Sequence, residues 1–316
     1  MGFSWVPPRP ELPLALQVID AFAPRADWGL ILVSPPWTQL LAGADPVALV
    51  TGNELGLANY YRGRGLRIVV SIDPTDGLDR ASDAPELVAA GRSLAEPPVQ
   101  VLFRDYCLAM AVLLQPDYLS VASETNLVRA IAPMALYAGV RDAANSAATA
   151  IVAAAAAVPL FVTVQVEVAW GLPGSSFVGI DQDRLDFPFV QALGLSSYPF
   201  LAGVADPAEL PDDYYSRIVA GGAALPLLMI EGGWPSAAIA TAVGDPDQQA
   251  RFMTRNAQLL EAAGAVGWFQ ISFTDLDVAA WSPGVAPFAN LGLVTTTLDP
   301  KPALSVWDAQ FARPRS

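Results

Sequence analysis

The sequence predicts an α/β chain folded as a (β/α)8 barrel, with residues 1–316 forming one domain. Three observations point that way. Eight short runs rich in valine, isoleucine and leucine recur along the chain, each followed by turn residues and then by a segment with helical spacing. Apolar runs of this kind suit parallel strands buried on both faces, and strict alternation with helices is the pattern of a parallel α/β sheet. Finally, no Ser/Gly-rich linker divides the 316 residues, and a barrel uses roughly 250 residues or more as one unit.

The expected strands are Phe3 to Val6, Gly29 to Ser34, Leu66 to Asp73, Tyr118 to Ala122, Leu160 to Ala169, Ala192 to Ser197, Leu225 to Ile230 and Val266 to Phe273. The expected helices are Leu14 to Phe22, Pro46 to Arg62, Val99 to Leu114, Met134 to Ala157, Asp183 to Gln191, Pro211 to Ala220, Asp245 to Ala263 and Lys301 to Phe311. The seventh helix is the best marked: Asp245 is a capping residue, Pro246 fits the first helical position, and Gly264 follows the end. Long irregular stretches follow the third strand (Pro74 to Pro98), the fifth (Trp170 to Asp181) and the eighth (Thr274 to Leu298). Long loops at strand C-terminal ends are where a barrel builds its cleft.

Composition narrows the chemistry. Hydrophobic residues make up 53% and charged residues 15%, enough apolar material for a large core. A formal charge of −14 without a basic cluster argues against nucleic acid, whose binding needs lysine and arginine to displace counterions. Histidine is absent, Lys301 is the one lysine and Cys107 the one cysteine. That excludes histidine-ligated metal sites and Ser-His-Asp hydrolysis, and a Schiff base is disfavoured because Lys301 lies in the C-terminal tail. No cofactor and no metal are expected. Asp76, Asp79, Asp83 and Glu86 share one loop, but their spacing lacks an EF-hand signature and reads as a solvated acidic loop. Cys107 lies in an apolar helical run and reads as a buried, inert thiol. The Ala147 to Val158 run is too short to span a bilayer, and the first ten residues lack a basic start followed by an apolar stretch. A soluble chain is expected, secreted or cell-surface if a leader has been removed.

Carboxylates are left to do any acid, base or nucleophilic work. Glu124, in Leu119-Ser-Val-Ala-Ser-Glu-Thr-Asn126, and Glu231, in Leu227-Leu-Met-Ile-Glu-Gly-Gly-Trp-Pro235, each sit where an apolar strand runs out into a loop. Strands four and seven lie across the mouth of an eight-stranded barrel, and retaining glycosidases place two carboxyl groups about 5 to 5.5 Å apart across the scissile bond. The local alternatives are that Glu124 caps the helix starting at Thr125-Asn126 and that Glu231 forms a structural ion pair with an arginine.

With these residues the chain resembles clan A of the glycoside hydrolases. Glu231-Gly-Gly-Trp-Pro-Ser looks like the Glu-x-Gly-Trp-Pro stretch around the nucleophile in several of its families, including endo-galactanases and endo-glucanases. Ser196-Ser-Tyr-Pro199 is similar to the segment whose tyrosine hydrogen-bonds that nucleophile, and Gly292-Leu-Val with Asp299-Pro-Lys-Pro-Ala303 is similar to the tail after the eighth strand. The resemblance implies a (β/α)8 retaining enzyme acting on β-linked carbohydrate, with Glu124 as acid/base, Glu231 as nucleophile and Tyr198 orienting Glu231. The chain departs from the family at Ser123, where an asparagine usually contacts the sugar 2-hydroxyl, and in lacking the strand-two arginine and the histidines of many members. A sugar-binding or interaction barrel without catalysis is the alternative.

Further residues are expected to line such a site. Sugars stack on aromatic rings, which nominates Trp37, Trp170, Trp234 and, near the start of the eighth strand, Trp268; Trp281 in the last loop is a further platform. Hydroxyl partners are Ser123, Asn126, Asp73, Gln165, Glu167 and Asp275, with Asp277 beside it. Glu167 alternates with Val166 and Val168, so on a strand it points inward as a third carboxylate.

Overall fold

Parallel strands need a crossover between neighbours, and the helices of this chain supply it. The computed structural model describes residues 1–174, 176–239 and 244–314. Its strands are β1 (Gly2–Ser4), β2 (Trp28–Val33), β3 (Arg67–Ile72), β4 (Tyr118–Ser120), β5 (Leu160–Phe161), β6 (Thr163–Gln165), β7 (Leu193–Ser197), β8 (Leu227–Gly232) and β9 (Ala265–Gln270). Hydrogen-bonded neighbours run β5-β4-β3-β2-β1-β9-β8-β7-β6, with parallel registers such as Phe3 on Gly29, Val70 on Leu119 and Met229 on Trp268. The two end members, β5 and β6, are consecutive in the chain and separated by Val162 alone. They are the two halves of the fifth expected strand, so the strand order is that of a (β/α)8 barrel.

The fifth strand also ends earlier than its valines suggest. Past Gln165 the chain turns into a short helix, Val166–Ala169, and Trp170 N–H bonds back to Val166 O at 2.9 Å in place of a sheet partner. Among the helices, Pro46 to Arg62 breaks at Glu54 into Pro46–Asn53 and Leu55–Gly63. The expected Asp183 to Gln191 helix is Asp181–Asp186 and stops before Pro188, since the residue preceding a proline is pushed out of the helical region. Of Pro211 to Ala220 only Ser216–Val219 is helical. Asp245 caps Pro246–Ala262 as its sequence suggests, accepting the Gln248 N–H at 2.7 Å.

The chain packs as two compact units. One comprises Met1–Leu30, Val166–Gly179 and Leu195–Ser316; the other comprises Ile31–Gln165 and Ile180–Gly194. In the first, aromatic rings make the core: Phe3 lies 4.3 Å from Trp307 and 5.1 Å from Phe273, and Trp268 lies 4.9 Å from Trp307. Gly292 is obligatory there, because a Cβ would stand 2.1 Å from the Thr274 carbonyl carbon. In the second unit Pro97–Leu114 buries Val99, Phe103, Tyr106, Cys107, Met110 and Leu114. It is the one helix among the described residues long and apolar enough to cross a membrane, and Gly139 of Met134–Ala153 comes close to the Leu94 carbonyl in the approach to it. Burial pushes the Cys107 thiol well up, in keeping with an inert side chain.

Candidate active-site residues

Glu124 lies four residues past the end of β4, within the unit that holds β3 and β5. Its backbone is left-handed, with φ 46° and ψ 47°, a conformation that costs an ordinary residue about 1 to 2 kcal/mol. The surroundings hold it there. Its N–H donates to Thr163 Oγ1 at 2.7 Å, while its carbonyl accepts from Leu127 and Val128 and so starts the helix Thr125–Ile131. The carboxylate does not cap that helix. It accepts from Arg80 Nε at 2.8 Å, and Arg80 is only 6% exposed. The same guanidinium ion-pairs Asp73 through Nη1, which also donates to Thr75 Oγ1 at 3.1 Å and to Asp76 O at 3.4 Å. Asp73 in turn accepts from the Thr75 N–H and hydroxyl, each at 3.0 Å.

Arg80 therefore joins two candidate carboxylates, Glu124 and Asp73. Its sequence signal was weak: a single basic residue among Asp76, Asp79, Asp83 and Glu86. The three aspartates are spent on the loop itself. Asp76 accepts from Leu78 N, Asp79 from Ala81 N and the Ser82 hydroxyl, and Asp83 from Leu94 N. Among the described residues no group of three histidines, cysteines, aspartates or glutamates is arranged to hold a metal.

The neighbours of Glu124 are fasteners more than sugar contacts. Asn126, 1% exposed, clamps the backbone of Gln165 from both sides, donating to its carbonyl at 2.8 Å and accepting from its N–H at 2.7 Å. Both ends of the amide are engaged, which corrects its expected place as a hydroxyl ligand and leaves Gln165 half-buried with its backbone fixed. Thr125 and Arg129 both bond Asp183, whose carboxyl burial pushes up. Ser123 is buried at 3% exposure. Trp37 is fully buried and stacks on Phe103 at 6.2 Å, so it is a core ring and not an open platform.

Glu231 occupies the penultimate position of β8, half-buried. Tyr198, the residue after β7, donates its hydroxyl to Glu231 Oε2 at 3.3 Å. The Tyr198 ring is held edge-on by Phe288 at 5.1 Å and by Phe200 at 6.1 Å. After Glu231 the chain must pass close to a neighbour: a Cβ on Gly233 would stand 2.9 Å from Gln270 Nε2, and that amide holds Leu291 O at 2.8 Å. Gln249 stitches the far side, donating to the carbonyls of Trp234, Leu291 and Gly292.

Trp234 itself is fully buried, its ring 5.4 Å from Phe252 and 6.1 Å from Phe200. Trp268 is 7% exposed against Trp307. Both are core residues, a correction to their expected role beneath a sugar: Trp234 just past β8 packs on Phe200 and Phe252, and Trp268 within β9 packs on Trp307. Asp275 is likewise occupied. It pairs with Lys301 Nζ at 2.5 Å, which also bonds Ser236 Oγ and Gly292 O, a clip that fastens the tail. Burial pushes the Asp275 carboxyl up and the Lys301 ammonium down, against their mutual attraction. Trp281 is tied by its indole N–H to Pro8 O at 3.0 Å.

Glu167 is the largest revision. Instead of pointing off a strand, it is 2% exposed on the short helix, accepting on Oε1 from Ser197 Oγ at 2.7 Å and from Tyr214 OH at 2.8 Å. Burial pushes its carboxyl up to about 7 despite those donors. Trp170, half-buried, stacks on Tyr214 at 5.5 Å and donates to its carbonyl; Arg217 lies over the Trp170 ring. Trp170 and Trp281 are thus the candidate platforms that keep solvent access. Tyr214 and Ser197 were not singled out from sequence, and the adjacency of Ser197 to Tyr198 was the one available cue.

No family model and no curated protein sequence matches the chain. Solved structures do. An exo-β-1,4-mannosidase from Opitutaceae bacterium strain TAV5 is similar over 98% of this chain with a TM-score of 0.74 at 18% identity. This chain spans 58% of that one. The GH5_18 protein of Bifidobacterium longum subsp. longum ATCC 55813, solved with Manβ1-4GlcNAc, is similar over 97% of this chain and 74% of its own, with a TM-score of 0.64 at 16% identity. The GH53 catalytic domain of Ignisphaera aggregans covers 92% and 87%, with a TM-score of 0.58 at 14% identity. These neighbours are clan A-like barrels, and the likeness is one of fold.

Proposed function

We propose that this protein is a retaining glycosidase of β-linked oligo- or polysaccharide, with Glu231 as nucleophile and Glu124 as acid/base. The observation that carries the reading is the Tyr198 hydroxyl on Glu231 Oε2 at the ends of adjacent strands β7 and β8. A phenol donating to a carboxylate favours its charged form, which is what a nucleophile needs. The fold shared with mannosidase and glucosidase neighbours supports a β-linked sugar as substrate.

In the first step Glu231 bonds to the anomeric carbon while Glu124 gives its proton to the leaving oxygen. In the second, Glu124 takes a proton from water, water attacks the anomeric carbon, and Glu231 leaves as carboxylate. Tyr198 orients Glu231, and the half-buried Trp170 is the proposed stacking surface. Ser123 and Gln165 are proposed for hydroxyl contacts, whereas Asp73 has both carboxylate oxygens engaged, Oδ1 by Thr75 and Oδ2 by Arg80.

A second reading, a carbohydrate-binding barrel without catalysis, is favoured by the buried ion pair on Glu124, which ties up the proposed acid. Trapping separates the two. Incubation with a panel of 2-deoxy-2-fluoro-β-glycosyl fluorides, followed by peptide mapping, is expected to label Glu231. Sugar binding without a label across the panel would establish the non-catalytic barrel.

A further inference from the structure

We infer that Arg80 is a positioning residue for the acid/base step, fixing which oxygen of Glu124 carries the proton and receiving the charge left when that proton departs. The inference rests on the glycosidase reading above. Its basis is geometric: a guanidinium buried to 6% exposure reaches Glu124 Oε2 with Nε at 2.8 Å while Nη1 anchors on Asp73, Thr75 Oγ1 and the Asp76 carbonyl.

Arginine stays protonated in proteins and its donors are fixed in a plane, so Arg80 is not itself an acid. An oxygen already accepting from that cation is the poor place for a proton. The proton of the acid form therefore sits on Oε1, and the carboxyl plane is set by the guanidinium plane. When Oε1 gives its proton to the glycosidic oxygen, the C–O bond to the leaving group breaks and Glu124 becomes a carboxylate. The charge-assisted bond from Arg80 then meets it without rearrangement, since its anchors on the 73–76 turn hold the guanidinium in place. The backbone at Glu124 is left-handed and its side chain does not cap the following helix, while its carboxylate accepts from Arg80.

The test compares leaving groups. Phenyl and 2,4-dinitrophenyl β-glycosides of the sugar that labels Glu231 are hydrolysed by wild type, Glu124→Ala, Arg80→Ala and Arg80→Lys, with folding checked by circular dichroism melts. Dinitrophenolate leaves without protonation, so loss of the acid slows its glycosylation step little. Glu124→Ala is expected to lower phenyl glycoside turnover about 10³-fold, within the usual range for general acid catalysis. Arg80→Ala is expected to lower it about 10²-fold, with less than roughly 10-fold loss on the glycosylation step of the dinitrophenyl substrate. Arg80→Lys keeps the charge, and added guanidinium restores part of the Arg80→Ala loss. If Arg80→Ala and Arg80→Lys lower both substrates equally, or neither, while Glu124→Ala discriminates between them, Arg80 is merely structural and the inference is overturned. If Glu124→Ala itself does not discriminate, the catalytic reading falls, and the inference with it.

Discussion

Glu124 and Glu231 are the same side chain at the ends of two strands of one parallel sheet, yet their surroundings differ in kind. Glu124 is held by a cation: Arg80 grips its carboxylate, and the backbone is left-handed under the constraint of Thr163. Glu231 accepts from a neutral donor, Tyr198, beside Glu167, which accepts from the neutral hydroxyls of Ser197 and Tyr214. A fixed ionic clamp suits a group that must cycle between acid and carboxylate in one orientation. A phenol donor suits a carboxylate that must stay ionised and reach an electrophile. The difference in partners matches the difference in proposed roles, and it was invisible in the two glutamate contexts taken alone.

The comparison is tested most severely by removing the nucleophile. Glu231→Ala is expected to lower kcat by roughly 10⁴-fold or more, the scale of losing a covalent catalyst. Exogenous azide should then give the glycosyl azide of inverted configuration, visible by NMR. The same azide added to Glu124→Ala should give the retained product, so identical products from both variants would erase the contrast.

The two halves carry matching core rings, which offers a control. Trp37→Ala and Trp234→Ala each remove a fully buried indole, and each is expected to cost about 3 to 5 kcal/mol in denaturant unfolding. KM is expected to stay near wild type at temperatures where the variants are folded. A selective rise in KM for Trp234→Ala would restore it as a sugar platform.

Glu167 gives a pH signature on the Glu231 side. Its folded value of about 7 lies above the ordinary 4.5, so between those pH values the folded protein binds more protons than the unfolded chain. Stability therefore falls as pH rises across that window, and the deficit remains in full above it. Glu54, also pushed to about 7 by burial, has the same sign in the other half. Glu167→Gln is expected to gain up to about 3 kcal/mol at pH 8 and almost nothing at pH 4. A melt series showing equal gain at both pH values would remove ionisation as the cause.

The smallest effect expected is that of Tyr198→Phe. One hydrogen bond to a charged group is worth about 1.5 to 3 kcal/mol, so kcat should fall roughly 10- to 100-fold with the 2-fluoro label still on Glu231. Loss of the label would show that the phenol does more than orient.

Much of the fold was legible because its signals are local. Eight apolar runs mark the strands, and Asp245-Pro246 marks a helix start that the structure shows hydrogen-bonded as expected. The tail motif around Gly292 was legible for a steric reason, since no other residue fits against Thr274. What misled was apolar alternation past a strand's last partner: Val166-Glu-Val looked extended but closes its own hydrogen bonds in a helical turn. Tryptophans were the second error. A ring on or just past a strand suits a sugar or a core equally well in sequence, and Trp37, Trp234 and Trp268 went to the core.

The sequence by itself determined the strand–helix alternation, the restriction of chemistry to carboxylates and the strand ends at which they stand, because periodicity and residue type are properties of short stretches. Only the tertiary structure decided their partners. Arg80 reaches Glu124 across 44 positions, Tyr198 reaches Glu231 across 33 and Tyr214 reaches Glu167 across 47. Such pairings depend on how loops fold back on strand ends, and no local pattern encodes which distant donor will fill a buried acceptor.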